Sequence, residues 1–341
     1  MTELAAAPAR SEAASQVCSA PPFHMSPKMH IVFVRDRPNP ENALQRLYSN
    51  PLHEGLRSLG IETTMVHAGL SPAVIEPPSH VIVHQNDEVA ILTAVPLKTK
   101  ASFKLICLCS DIYDLSALKR LSDSVDLFLV PTPLHADMLQ SIGVRKVAVL
   151  PEAVDPIARP GADILRPLND ENRLCWFGYP ESFEKSLRYL LPDAFTTARF
   201  DVSRFGIISS EHDRLLPGAE HRLFSAGSFY ETTKDYSYSL LSHFAYDLQM
   251  NTFIKSPNKM ITALVRGMIP LVSATPSYEA MARRFGLEPL MYKGPAELAA
   301  LLQNLDCQSD RARFGMDEIA KTLLAEFSSE AITRHLLEHI S

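Results

Sequence analysis

The chain reads as an α/β protein built from two Rossmann-like units, and three observations predict this. Short, apolar runs rich in β-branched residues alternate with helix-like stretches along most of the length. The alternation stops once, at 156–170, where Pro156, Pro160, Gly161, Pro167 and Asn169 form a breaker-rich linker. It starts again at Leu174-Cys175-Trp176-Phe177-Gly178. A length of 341 residues also favours two domains.

Composition narrows the function. With 46% hydrophobic and 21% charged residues the chain has the make-up of a globular protein. A net charge of -6 argues against a nucleic-acid partner, whose footprint is basic. No apolar run reaches the roughly 18 residues that span a bilayer. Peripheral membrane contact stays open. Five cysteines, Cys18, Cys107, Cys109, Cys175 and Cys307, show no paired zinc-site spacing. Cys107 and Cys109, at i and i+2, share a strand face and read as small core residues. Reduced thiols fit a cytoplasmic location.

Taken in order, residues 1–27 are rich in Ala, Ser and Pro and lack any period, so they read as a disordered tail. Met29–Val34 is the first strand. The polar loop Arg35-Asp36-Arg37-Pro38-Asn39-Pro40-Glu41-Asn42 follows it, then a helix over Ala43–Leu59 and a strand over Ile61–His67. In doubly wound sheets ligands bind at the carboxyl ends of strands, so this loop is a cleft wall and Arg35 a candidate contact. Further strands are expected at His80–His84, Phe103–Cys109, Val125–Val130 and Val147–Leu150, with helices at Leu115–Leu121 and Pro133–Ile142. Ser110-Asp111-Ile112-Tyr113-Asp114 lies directly after a buried strand. Asp111 and Asp114 are placed there either for chemistry or as helix caps.

In the second half, strands are expected at Arg204–Ile208 and His221–Phe224, a helix at Tyr238–Phe244 and a strand at Tyr246–Met250, with Phe253 in the core. Lys255–Ser273 is a complete helix followed by a strand. Ser256 reads as N-cap, Pro257 as the first helical residue and Gly267 as the left-handed residue past the end. Asn258, Lys259, Thr262 and Arg266 fall within a roughly 100° arc, while Met260, Ile261 and Leu264 face a core. Lys255, Asn258 and Lys259 thus gather where the helix dipole is positive, a combination suited to phosphate. An ordinary helix with a solvated polar face would show the same arc. A helix follows Thr275-Pro276-Ser277-Tyr278, then a strand over Leu287–Tyr292 and helices over Ala296–Leu305 and Asp317–Ile340.

The run Lys255-Ser256-Pro257-Asn258-Lys259 through Gly267-Met268-Ile269-Pro270-Leu271-Val272 resembles the carboxyl-terminal signature of retaining, group 1 GT-B glycosyltransferases. Val130-Pro131-Thr132 through Leu150-Pro151-Glu152-Ala153-Val154-Asp155 is similar to the segment that closes that family's first domain, with Glu152-Ala153 replacing Asn-Gly. The paired-glutamate motif is absent: Thr262 and Ile254 occupy its positions, and Tyr179 stands where an Arg is usual.

The resemblance implies a GT-B arrangement, two Rossmann-like domains facing across a cleft. The domains are then 28–155 for the acceptor and 171–318 for the nucleotide-sugar donor, with 319–341 packing back on the first. It implies a metal-independent, retaining hexosyl transfer from a nucleotide-diphosphate sugar, the co-substrate, to a glycan, lipid or small-molecule hydroxyl. No other cofactor is implied. Lys255, Asn258, Lys259, Thr262 and Lys185 would hold the donor, Ser277 and Tyr278 would border the sugar, and Asp111 or Asp114 would act on the acceptor. The alternative is a non-catalytic nucleotide- or glycan-binding protein, or a scaffold. No G-x-G-x-x-G follows the first strand, and no P-loop or G-x-S-x-G occurs. His80 and His84, the one close histidine pair weighed as ligands, lie in a strand-like run that opposes metal binding.

Overall fold

Two six-stranded, fully parallel sheets organise the chain. The computed structural model describes residues 29–35, 39, 41–67, 80–98, 102–111, 115–158, 171–210, 215–243 and 250–341. The tail 1–27, Asp114 and most of the linker 156–170 lie outside the described residues.

The first sheet holds β1 (His30–Arg35), β2 (Glu62–His67), β3 (His80–His84), β4 (Lys104–Leu108), β5 (Leu127–Val130) and β6 (Val147–Val149), in the order β2-β1-β3-β4-β5-β6. Alternate side chains feed two cores. Ile31 and Phe33 face one layer, Val32 and Val34 the other. The second sheet holds β7 (Leu174–Gly178), β8 (Phe205–Ser209), β9 (Glu220–Leu223), β10 (Tyr238–Leu241), β11 (Ile269–Ser273) and β12 (Met291–Tyr292), in the order β12-β11-β10-β7-β8-β9. That is the dinucleotide-fold order, with its switch point between β7 and β10.

Helices cover both sheets: α1 (Asn50–Ser58), α2 (Glu88–Lys98), α3 (Leu115–Leu121) and α4 (Pro133–Ser141) on the first. The second half carries α5 (Pro180–Ser186), α6 (Leu191–Ala198), α7 (Phe229–Thr233), α8 (Met250–Ile254), α9 (Asn258–Val265), α10 (Pro276–Phe285), α11 (Pro295–Gln303), α12 (Cys307–Phe314), α13 (Met316–Glu326) and α14 (Ser329–Ile340). No helix among the described residues is long and apolar enough to cross a membrane.

Several local expectations are corrected. Tyr238–Leu241 is a strand, not a helix. Its residues are buried on both faces, so the run has no exposed side to show a period. Met250 starts α8, and Phe253 is 43% exposed while its neighbour Ile254 is fully buried. The last strand shrinks to Met291–Tyr292 because a 3-10 turn containing Pro289 takes Glu288–Leu290. The expected 43–59 helix opens with a π turn at Gln45–Ser49. Pro51 explains it: lacking an N–H, it cannot donate to the Leu47 carbonyl, which instead accepts from Ala153 N at 3.1 Å.

The final helical stretch is also two helices. α13 packs Ile319 and Leu323 on the second domain, and Ser328 caps a fresh start for α14. α14 returns to the first domain, setting Ile332, Leu336 and Ile340 against Leu52 and Leu56 of α1. Gly55 permits the approach: a Cβ there would stand 2.1 Å from Thr333 Oγ1 and 2.8 Å from the Ser329 carbonyl. Gly55→Ala gains about 1 kcal/mol of helix propensity but overpacks this contact at a cost of about 1–3 kcal/mol. Gly55→Val adds bulk without that propensity. Urea unfolding is therefore expected to show Gly55→Val about 2 kcal/mol or more less stable than the parent.

Candidate active site

The site grows from the segment joining α8 to α9, which reaches both domains. Ile254 is buried within the core of the first domain, and its carbonyl accepts from Thr132 Oγ1 at 3.0 Å. Lys255 Nζ meets Asp111 Oδ1 at 2.5 Å, a pair 144 positions apart. Ser256 Oγ accepts from Asn258 N at 3.0 Å and donates to the Glu152 carboxyl. Asn258 Nδ2 donates to the Ala153 carbonyl at 2.9 Å. The helix starts one residue later than expected, at Asn258, so Pro257 takes the cap position in place of Ser256, whose hydroxyl holds the Asn258 N–H from one residue further out. Gly267 takes φ +85° past its end, as expected.

One turn on, Lys259 sits over the carboxyl ends of the second sheet. Its Nζ lies 5.5 Å from the Trp176 ring centre and 6.0 Å from that of Phe177. Gly178, the last residue of β7, makes room: a Cβ there would stand 2.7 Å from Nζ. No carboxylate pairs with Lys259 among the described residues, and burial followed by the charge of Lys255 lowers its pKa to about 8. His243, just past β10, stays neutral because burial and both lysines push its pKa well down. Tyr278 stacks on it at 4.8 Å and bonds its Nε2 at 2.7 Å.

Across the cleft, the carboxyl ends of β3 and β4 carry a polar recess. Asp111 lies within electrostatic reach of Tyr48, His84 and His135. Burial holds both imidazoles down to about 4, so they are neutral. Tyr48 Oη, His84 Nε2 and His135 Nδ1 are buried and unpartnered among the described residues. Glu152 closes the floor. Burial raises its pKa to about 7, although Ser256 and Lys255 pull the other way. No three His, Cys, Asp or Glu side chains converge as a metal centre requires among the described residues.

The structure brings together Asp111, Lys255 and Lys259 from the sequence-predicted set and gives the others different surroundings. Asn258 and Thr262 point inward: Thr262 is 2% exposed and its Oγ1 donates to Asn258 Oδ1 at 3.1 Å. Arg266 is likewise buried, donating to Thr233 Oγ1 and the Tyr230 carbonyl, both at 2.9 Å. The polar arc of α9 is therefore mostly an internal hydrogen-bond ladder, not a solvated face. Tyr278 is fully buried and serves His243. Ser277 lies on the far side of α9 from Lys259, in a separate pocket. Lys185 is exposed on the last turn of α5, about 7 Å along the helix from the Gly178 end. Arg35 donates to Asn50 of its own domain.

Sequence reasoning missed Glu152 as a site residue and missed Tyr48, His84, His135 and His243. The signal for Glu152 was its replacement of Asn in a segment that otherwise follows the resemblance. The others carry no local pattern. The expected cleft wall is present at its far end, where Glu41 accepts from Ala226 N of the second domain at 2.9 Å. Arg46 stacks on Phe224 nearby at 5.8 Å.

No protein-family model matches the chain, and no curated protein matches it in sequence. Several solved structures are similar to it along nearly their whole length. The apo lipopolysaccharide outer core galactosyltransferase WaaB has 13% identity and a TM-score of 0.54, covering 92% of this chain and 99% of that one. Apo OtsA has 11% identity and a TM-score of 0.58, with the same coverage. A Listeria monocytogenes chain described as a UDP-N-acetylglucosamine 2-epimerase has 11% identity and a TM-score of 0.55, covering 92% and 96%. The chain is a divergent GT-B-fold protein, two Rossmann-like domains facing across a cleft. Neighbours of that fold include glycosyltransferases, but an epimerase among them means that fold by itself does not specify transfer.

Glu152 supplies a test of the site's electrostatics. The folded carboxyl keeps its proton up to about pH 7, whereas an ordinary one loses it near 4.5. Between those values the native state binds more protons, so stability falls as pH rises and levels off above 7. Glu152→Gln keeps an acceptor for Ser256 and removes the penalty. Urea unfolding is expected to show the variant unchanged at pH 4 and up to about 3 kcal/mol more stable at pH 8.

Proposed function

We propose that the protein transfers a sugar, a hexose in the simplest case, from a nucleoside-diphosphate sugar to an acceptor hydroxyl. The observation that carries this reading is Lys259: a desolvated ammonium with no carboxylate partner among the described residues, at the positive end of α9 and the carboxyl ends of a Rossmann-type sheet. Such a group lacks an anion, and a diphosphate supplies one. Lys259 and Lys255 then offset the charge that develops on the leaving diphosphate. They provide the positive charge for the step, so we assign no metal to it. By resemblance the anomeric configuration is retained.

The Lys255–Asp111 pair gives the donor a second effect. A diphosphate competes with Asp111 for Lys255. Its arrival frees the carboxylate to orient or deprotonate the acceptor hydroxyl beside Tyr48, His84 and His135. A glycan, a lipid-linked sugar or a small polyol meets that description equally.

One observation favours a second reading, nucleotide or glycan binding without transfer, as in a scaffold. The position where the resembling family carries a ribose-binding acid holds Thr262, buried and bonded to Asn258. Turnover of nucleotide sugars separates the two readings.

Calorimetric titration with UDP, GDP, TDP and ADP is expected to show one nucleotide binding, with at least a tenfold loss in Lys259→Ala. Since Lys259 must be protonated to hold the anion, affinity should fall as pH rises through about 8. Binding of none of the four, or unchanged binding in Lys259→Ala, would defeat the diphosphate assignment. Asp111→Asn removes the competitor for Lys255. It should bind the same nucleotide several-fold more tightly while transfer falls at least a hundredfold. Weaker binding would show that Asp111 does not compete.

A further inference from the structure

A second cavity opens on the other side of α9. At 100° per residue, Pro257 and Ile261 lie about 160° around the helix from Lys259. They face a pocket of about 500 Å³ that also touches the start of α4, the Val149–Glu152 crossover and one side of α10. Both domains wall it, and its size is that of a small-molecule site.

The lining has an unusual chemistry. Five prolines contribute, Pro131, Pro133, Pro151, Pro257 and Pro276. Proline has no N–H and a locked φ, so these walls are rigid and poor in donors. Ile261, Met281 and Phe253 add apolar surface, and Phe253 and Leu134 are 43% and 37% exposed. The polar side chains are mostly committed elsewhere. Thr132 donates to the Ile254 carbonyl, and Arg284 pairs with Glu326. Ser256, also in the wall, is taken up by the Asn258 N–H and by one bond to Glu152, which leaves two handles. Ser277 Oγ is buried with no partner among the described residues, and Glu152 contributes its carboxyl.

We propose that this pocket binds a neutral, largely apolar molecule carrying one hydroxyl, with that hydroxyl taken by Ser277 and Glu152. The prolines and aliphatic side chains hold the apolar body. A preformed cavity of this kind costs little to organise on binding. A hydroxyl suits both states of Glu152, since it donates to the carboxylate and accepts from the acid. An anionic head does not, because it meets the ionised carboxylate in a poorly solvated wall. The pocket shares Glu152 with the polar recess but lies on the face of α9 away from Lys259, and it does not rest on the glycosyltransferase reading.

The simplest probe is n-decanol, titrated calorimetrically into the full chain at pH 8, with decanoate as the charged control. Decanol is expected to bind at least tenfold more tightly than decanoate. Ala280 is an exposed residue of α10 on the pocket wall. Ala280→Trp should fill the space and lower decanol affinity at least tenfold, while leaving nucleotide binding within twofold. Leu134→Trp gives the same block from α4 if the first variant does not fold. Ser277→Ala should weaken decanol several-fold. Absence of decanol binding, or equal binding in both tryptophan variants, overturns the site. Decanoate binding as tightly as decanol overturns the neutral head group.

Discussion

The short crossover Glu152–Asp155 ties the architecture together. Each of its residues is buried and bonds to a distant part of the chain. Ala153 N reaches the Leu47 carbonyl that Pro51 leaves free, and Val154 N reaches the Phe327 carbonyl at 2.8 Å. The Ala153 carbonyl holds Asn258, Glu152 holds Ser256, and Asp155 takes a bidentate contact from Arg46 at 3.0 and 3.1 Å. Removing one partner of a buried, hydrogen-bonded pair like Arg46–Asp155 typically costs 3–5 kcal/mol, because it strands a charge. Three separate stretches of chain, 46–47, 256–258 and Phe327, are thereby held to one strip of backbone.

That strip also sets the chemistry. Because Asn258 is anchored to Ala153, α9 presents its lysines at the seam of the two sheets instead of at an outer surface. Lys255 finds Asp111 across the seam, while Lys259 is left against aromatic rings and a glycine. The contrast between the two lysines is what makes the site directional: one is neutralised by the first domain, the other waits on the second. The histidines on both sides are neutral, so among the described residues the charged groups at the seam are the two lysines and the carboxyl groups of Asp111 and Glu152.

The same strip separates the two cavities. On one side of α9 the groups are cationic and polar. On the other, five prolines leave almost nothing to hydrogen-bond. A helix whose start is held by hydrogen bonds to the first domain can present opposite chemistries on its two faces without either face having to stabilise it.

Much of this was legible in the amino-acid order. Alternating apolar runs determined the two α/β units, since parallel strands must be buried on both sides and their helices must cover them. Pro257 and Gly267 marked the ends of α9, and the spacing of Lys255 and Lys259 set two cations at its start. What the order could not decide was direction. Asn258, Thr262 and Arg266 look as polar as Lys259 on a helical wheel, yet they point into protein because Ala153, Thr233 and the Tyr230 carbonyl lie opposite them. Tyr238–Leu241 showed no helical or strand period because neighbours cover both its faces. The pairing of Lys255 with Asp111, and the recess of Tyr48, His84 and His135, join residues far apart in sequence. Local pattern determines which element forms; only the packing of distant segments decides what each side chain faces, and the site is made of those facings.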